Sequence, residues 1–117
     1  MAVVGLGIDM VDIARFVATL ERTPSLRARI FTGAEGQLAP ERLAGRFAAK
    51  EAVAKSLGAP PSLRWLDVEV TSAANGRPLL EVRGTVAAAA DSLGVRSWHL
   101  SLSHDGGMVV AIVVAES

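Results

Sequence analysis

The 117-residue chain contains no cysteine. Disulfides, thiolate metal sites and a cysteine nucleophile are excluded together, and a cytoplasmic setting is expected. It also lacks an excess of charge of either sign: 12 basic and 12 acidic side chains cancel. A general nucleic-acid binder needs a basic excess, so none is expected, although a local cationic pocket stays open. No apolar run approaches the ~18–20 residues of a membrane span, so no membrane partner is expected. The N-terminus lacks the basic segment and long apolar core of a signal peptide. There is no internal repeat, and low complexity is confined to Ala87 to Ala90. A Gly-x-Ser-x-Gly nucleophile elbow is missing, which speaks against a serine hydrolase despite a Ser-His-Asp run near the C-terminus. The two histidines lack a zinc-site spacing, and His99 reads as structural.

Half of the residues are apolar and 21% are charged, so a packed core is expected and disorder is not. The length suits one domain, residues 1–117.

Val3 to Asp9 reads as a strand. Val4, Leu6 and Ile8 point one way; Val3, Gly5, Gly7 and Asp9 point the other. The two glycines invite a close approach by another backbone or a ligand. Either Asp9 or Asp12 can cap the following helix, and if Asp12 does, Asp9 is free. Ile13, Phe16, Val17 and Leu20 mark that helix, which ends near Thr23-Pro24. Ser25 to Phe31 predicts a short helix or turn. Thr32 and Glu35 have capping-box spacing.

The spacing predicts a long central helix from about Pro40 to Leu57, with Pro40 in its first turn and Gly58 as a left-handed stop. At 100° per residue, Leu43, Phe47, Ala54 and Leu57 form an apolar stripe. Lys50 falls near its centre, Glu51 and Lys55 lie on one flank, and Arg46 lies on the other. A bland account makes Glu51–Lys55 an ordinary i,i+4 pair and lets Lys50 snorkel outward. A sharper one has three cations and a carboxylate gripping a polyanion through a metal, because Mg²⁺ favours one or two carboxylates plus phosphate oxygens.

A hairpin follows around Asn75-Gly76, with Pro78 at the start of its second strand. Thr85 is placed to cap a helix running to about Leu93. Ser97 to Ser103 alternates, with Trp98, Leu100 and Leu102 against Ser97, His99, Ser101 and Ser103. His104 to Gly107 reads as a turn, and Val109 to Ala115 as a strand covered on both faces. The strands and tight turns predict an α+β fold, mainly an antiparallel sheet with a long central helix. A 117-residue chain with positive mean hydropathy has limited means of covering its apolar surface alone. That makes the apolar last strand and the small-residue face of Val3 to Gly7 candidate interface elements.

These segments occur in a telling order: Gly5-Leu-Gly7-Ile8-Asp9 followed by Arg15; Phe31-Thr32-x-x-Glu35; Arg46-Phe-Ala-Ala-Lys50-Glu51-Ala-x-x-Lys55-x-x-Gly58; Asn75-Gly76-x-Pro78; and Ser101-x-Ser103-His104-Asp105. Together they resemble the holo-acyl-carrier-protein synthase family, the short 4'-phosphopantetheinyl transferases, over nearly the whole chain. The resemblance implies the 4'-phosphopantetheinyl transferase fold and a homotrimer with active sites shared between subunits. It implies transfer of 4'-phosphopantetheine from coenzyme A to a serine of apo-acyl carrier protein, in fatty acid or polyketide biosynthesis, leaving adenosine 3',5'-bisphosphate. Asp9 and Glu51 would hold Mg²⁺, and with Lys55 they form the expected catalytic set. Arg46, Lys50, Lys55, Ser103 and His104 are the expected coenzyme A contacts. Arg15 and Phe47 are the expected carrier-protein contacts.

Overall fold

In chain order the elements are β1 (Val3–Asp12), α1 (Ile13–Arg22), α2 (Ser25–Ile30), a 3-10 turn (Glu35–Gln37) and α3 (Pro40–Ser56). A second 3-10 turn (Trp65–Asp67), β2 (Val68–Ser72), β3 (Pro78–Val82), α4 (Gly84–Ser92), β4 (Ser97–Asp105) and β5 (Met108–Glu116) follow. This computed structural model describes residues 1–117. The strands form two antiparallel sheets, one ordered β1-β5-β4 and the other β2-β3, as the α+β expectation requires.

The central position of β5 follows from its sequence. Val109, Ala111, Val113 and Ala115 are fully buried, and β1 and β4 take its two edges. One core of 20 buried residues links this sheet to α1, α3, α4 and the β2-β3 hairpin.

α3 lies against the inner face of the larger sheet, and small residues set its distance. A side chain at Gly5 would overlap the Ser56 carbonyl, and one at Gly7 the Ala52 carbonyl. The glycine face of β1 is therefore filled by α3, which corrects its expected role at a subunit interface. The opposite face stays open: Leu6, Ile8 and Met10 are each about 60% exposed, and Ile112 stands beside Ile8 in the pairing register.

Local signals explain most boundaries. Asp12 caps α1, its Oδ1 accepting from the Arg15 backbone N–H at 3.0 Å. That leaves Asp9 free within a strand three residues longer than expected. Pro40 occupies the first turn of α3, and Gly58 ends it at φ +82°. α4 is capped from outside rather than by Thr85, because the Asp67 carboxylate accepts from both the Thr85 N–H and its hydroxyl. β4 continues through Asp105, so the turn shrinks to Gly106-Gly107, both with positive φ.

Candidate active site

β1 and the second half of α3 bring three predicted residues together. Lys55 donates from Nζ to Asp9 Oδ1 at 2.9 Å and to the Ile8 carbonyl at 3.0 Å. Its ammonium thus reaches across to β1 and not along the helix to Glu51, which corrects the bland i,i+4 account. Asp9 points at α3 because it shares the inner strand face with Gly5 and Gly7, whose missing side chains let the helix come close. Glu51 is half-buried beside them. Burial raises its pKa above the ordinary carboxylate value, and the Asp9 charge raises it further, partly offset by Lys55.

Two carboxylates that repel each other, with a single ammonium bonded to one, form a local donor set for a cation. No cluster of three or more His, Cys, Asp or Glu side chains exists in the chain. An ion held here by Asp9 and Glu51 would complete its shell with water and substrate oxygens, which is the habit of Mg²⁺.

A separate cleft of about 600 Å³ lies against the first half of α3, lined by Arg42, Arg46, Ser72, Arg77, Leu102 and His104 among others. Arg46 is buried, with one nitrogen bonded to the Ser72 hydroxyl at 3.2 Å and its Nε without a partner. Burial lowers the Arg46 pKa, and the neighbouring Arg42 charge lowers it further. Both causes are relieved by an anion. Arg42 and Arg77 were missed in the sequence reading. Arg77 is the unspecified residue of Asn75-Gly76-x-Pro78, so a signal for it was present.

At 100° per residue, Glu51 and Lys55 project from one flank of α3, whereas Arg42 and Arg46 project from the other. The carboxylate–lysine cluster and the cationic cleft therefore open on opposite sides of one helix.

Lys50 leaves the set of ligand contacts. Its side chain is 0% exposed and does not snorkel. Nζ donates to Glu35 Oε1 at 2.7 Å, to the Ile30 carbonyl at 2.8 Å and to the Trp65 carbonyl at 3.1 Å. Three acceptors use its three N–H groups. Glu35 is equally committed: Oε1 also accepts from the Thr32 N–H, completing the capping box, and Oε2 accepts from the Val70 N–H. Ser103 is also separated from His104. Because β4 stays extended, the two alternate in direction, His104 toward the cationic cleft and Ser103 toward the open apolar face.

Arg15 is exposed on α1. Phe47, on α3, is sandwiched between Phe16 of α1 and Trp65, with ring centroids at 5.0 and 5.3 Å. It borders a shallow cleft of about 800 Å³ that Leu26, Arg29 and Leu63 share. Phe47 thus packs the core on one side and faces that cleft on the other.

The pattern of the 4'-phosphopantetheinyl transferase superfamily matches residues 5–113. The holo-[acyl-carrier-protein] synthase of Frankia alni is 67% identical over 118 residues, covering 100% of both chains. Among solved structures, the holo-(acyl-carrier-protein) synthase of Bacillus anthracis in complex with CoA (3',5'-ADP) superposes with a TM-score of 0.80 at 33% identity, covering 100% of this chain and 99% of that one. The Helicobacter pylori holo-[acyl-carrier-protein] synthase in complex with coenzyme A gives 0.83 at 29% identity, covering 95% and 99%.

Proposed function

This chain belongs to the 4'-phosphopantetheinyl transferase superfamily, and we propose that it transfers the 4'-phosphopantetheine arm of coenzyme A to a serine of an apo-acyl carrier protein. The observation that carries the reading is the Asp9–Lys55 ion pair beside a Glu51 whose ionisation is opposed by Asp9. That arrangement suits a charged substrate and a cation better than it suits an isolated fold.

In the reaction, the serine oxygen attacks the phosphorus that carries the pantetheine arm. The bond to the other phosphate breaks, and adenosine 3',5'-bisphosphate leaves. Such a step needs positioning and charge neutralisation more than a protein nucleophile. Asp9 and Glu51 are the residues that would hold Mg²⁺. When bound, Mg²⁺ would supply neutralisation and polarisation of the pyrophosphate oxygens. Lys55 orients Asp9 and is half-exposed, so its ammonium is available to the phosphate that accumulates charge. Arg46 and His104, joined by Arg42 and Arg77, offer an anion site suited to the 3'-phosphate end of coenzyme A. Arg15 and Phe47 border the side on which the carrier protein would dock. A cytoplasmic setting suits both substrates.

We assign a homotrimer with shared sites on two grounds. The metal-binding and cationic halves open on opposite flanks of α3, so one chain does not present them as a single pocket. The open sheet face, with Leu6, Ile8 and Met10, gives a second copy an apolar surface to cover. Mixing a Glu51→Ala chain with a His104→Ala chain tests this: activity should recover at least about tenfold above either alone, and no recovery despite proven mixing would refute it.

The primary test is intact-protein mass spectrometry of an apo-acyl carrier protein incubated with the protein, coenzyme A and Mg²⁺. A gain of one phosphopantetheine group, lost with a chelator, is the expected result. Binding of coenzyme A without any gain across several carrier proteins would reduce the chain to a binding module.

A further inference from the structure

We propose that Lys50 is a positioning residue for carrier-protein recognition: its buried ammonium ties together the two walls of the cleft beside Phe47 and fixes the cleft's width. The inference rests on the reading of Phe47 as a carrier-protein contact and deepens it.

The cleft of about 800 Å³ has two walls of separate origin. Leu26, Arg29 and Ile30 come from α2, and Leu63, Arg64 and Trp65 come from the segment after α3. Neither wall is held firmly by its own element. α2 has six residues and no side-chain cap, and so short a helix is not stable by itself. The opposite wall is a loop leading into a 3-10 turn of three residues. Phe47, from α3, lies between them and stacks on Trp65.

Lys50 stands one helical turn beyond Phe47, and residues three apart on a helix are neighbours. Its Nζ donates to the Ile30 carbonyl at 2.8 Å and to the Trp65 carbonyl at 3.1 Å. Ile30 belongs to one wall and Trp65 to the other. Two carbonyls bound to one nitrogen are fixed relative to each other, and here both are fixed relative to α3. Ile30 ends α2, where a carbonyl has no donor within its own helix. The third bond, to Glu35 at 2.7 Å, supplies the compensating charge. The Phe31 ring lies against the ammonium, with Nζ 5.4 Å from its centroid.

Burial lowers the Lys50 pKa, opposed by the Glu35 bond, so the ammonium is kept inside at a cost. An apolar side chain avoids that desolvation, but it cannot grip two carbonyls. What the ammonium adds is a defined spacing between α2 and Trp65. Each wall also carries an exposed arginine, Arg29 on one and Arg64 on the other. A fixed spacing between two cations selects among acidic partners.

The test measures kcat and both KM values for the unsubstituted chain, Lys50→Met, Lys50→Gln, Glu35→Gln and Phe47→Ala. Transfer from coenzyme A to apo-acyl carrier protein is followed by mass spectrometry. Trimethylamine N-oxide keeps the variants folded, and circular dichroism checks that they are. Both Lys50 variants and Phe47→Ala should raise the carrier-protein KM at least about tenfold, with kcat and the coenzyme A KM within about threefold. Glu35→Gln removes the compensating charge yet leaves Lys50 its two carbonyls. It should lower stability while holding the carrier-protein KM within about threefold. The chain has no cysteine, so Lys50→Cys introduces a single thiol. Aminoethylating that thiol in denaturant, before refolding, returns an ammonium at nearly the reach of lysine and should restore the carrier-protein KM. Ethylating it should not. Equal rises in Glu35→Gln and the Lys50 variants, or equal recovery with both alkyl groups, would tie the effect to stability and overturn the clamp. An unchanged carrier-protein KM in the Lys50 variants beside a raised one in Phe47→Ala overturns it too. An unchanged KM in Phe47→Ala overturns the carrier contact and the clamp together. No transfer by the unsubstituted chain overturns the transferase reading itself.

Discussion

Two lysine–carboxylate pairs are anchored on α3, and their bond lengths barely differ: 2.7 Å for Lys50–Glu35 and 2.9 Å for Lys55–Asp9. Their surroundings differ in every other respect. Lys50 and Glu35 are 0% and 1% exposed, and every donor and acceptor they own points at a partner within the chain. Lys55 and Asp9 are 50% and 17% exposed, and a second carboxylate, Glu51, stands beside them with its ionisation opposed. A solvent-facing pair contributes at most about 1 kcal/mol to stability. Folding therefore gains little from Lys55–Asp9. The buried pair is a completed structure, whereas the exposed one is left open in the way the proposed function needs of a ligand site. Similar geometry thus serves two purposes, and completeness of bonding separates them.

The comparison breaks most sharply under substitution at the exposed pair. Asp9→Ala, Glu51→Ala and Lys55→Ala should each lower turnover at least about 1000-fold, in line with losing a group that stabilises transition-state charge. Chemical denaturation should shift by less than about 1 kcal/mol in each. A large stability loss with modest activity loss would invert the assignment of the two pairs.

The buried pair should answer in the opposite currency. Lys50→Met leaves Glu35 uncompensated and should cost about 3–5 kcal/mol in urea unfolding. Adding Glu35→Leu removes the unpaired charge but should recover only part of that, because the Thr32 and Val70 N–H groups and the Ile30 and Trp65 carbonyls then lack their partners. The folded double variant should keep measurable transfer activity. Loss of all activity in a well-folded double variant would mean that Lys50 contributes more than packing.

How far this difference was legible in the sequence depends on which link set each side chain. The flanks of α3 follow from the helical period alone, so the separation of Glu51 and Lys55 from Arg46 was readable before any coordinates. The spacing of Thr32 and Glu35 likewise marked a capping box that forms. The fate of Lys50 was not readable. Its partners come from α2, the 3-10 turn at Glu35 and the segment at Trp65, and no local pattern reports that they converge. Ser103 and His104 failed for a related reason: two extra residues of strand pairing decided which way each points. The Gly5-x-Gly7 pair correctly announced a close approach, but which of several backbones would approach was settled only by the packing of α3. Arg77 was passed over because the motif around it was read for its turn rather than for its charge.

On the cationic flank the expected effect is smaller and of another kind. Under the proposed function, Arg77→Ala and His104→Ala remove contacts remote from the bond that breaks. Each should raise the coenzyme A KM about 5- to 20-fold with a lesser change in kcat, about 1–2 kcal/mol of uniform binding. A fall in kcat at unchanged KM would move these residues into the chemistry.

The smallest effect sharpens the comparison from within the exposed cluster. Burial and the Asp9 charge raise the Glu51 pKa in the folded chain. The folded state therefore holds this proton more tightly than the unfolded state does. Its contribution to stability is full below the ordinary carboxylate range and is lost as pH rises through the raised folded value. At neutral pH, without metal, Glu51→Gln should stabilise the protein slightly. Solvent screening of a half-exposed group keeps that gain to about 0.5 kcal/mol or less. The gain should vanish in acid, where both forms are uncharged. Mg²⁺ reverses the sign, because a ligand that binds only the folded state stabilises it in proportion to its affinity. Thermal unfolding with saturating Mg²⁺ should then favour the wild-type chain and leave Glu51→Gln unmoved. If Mg²⁺ shifts both chains equally, the ion is held without Glu51, and the repulsion between Asp9 and Glu51 needs another explanation.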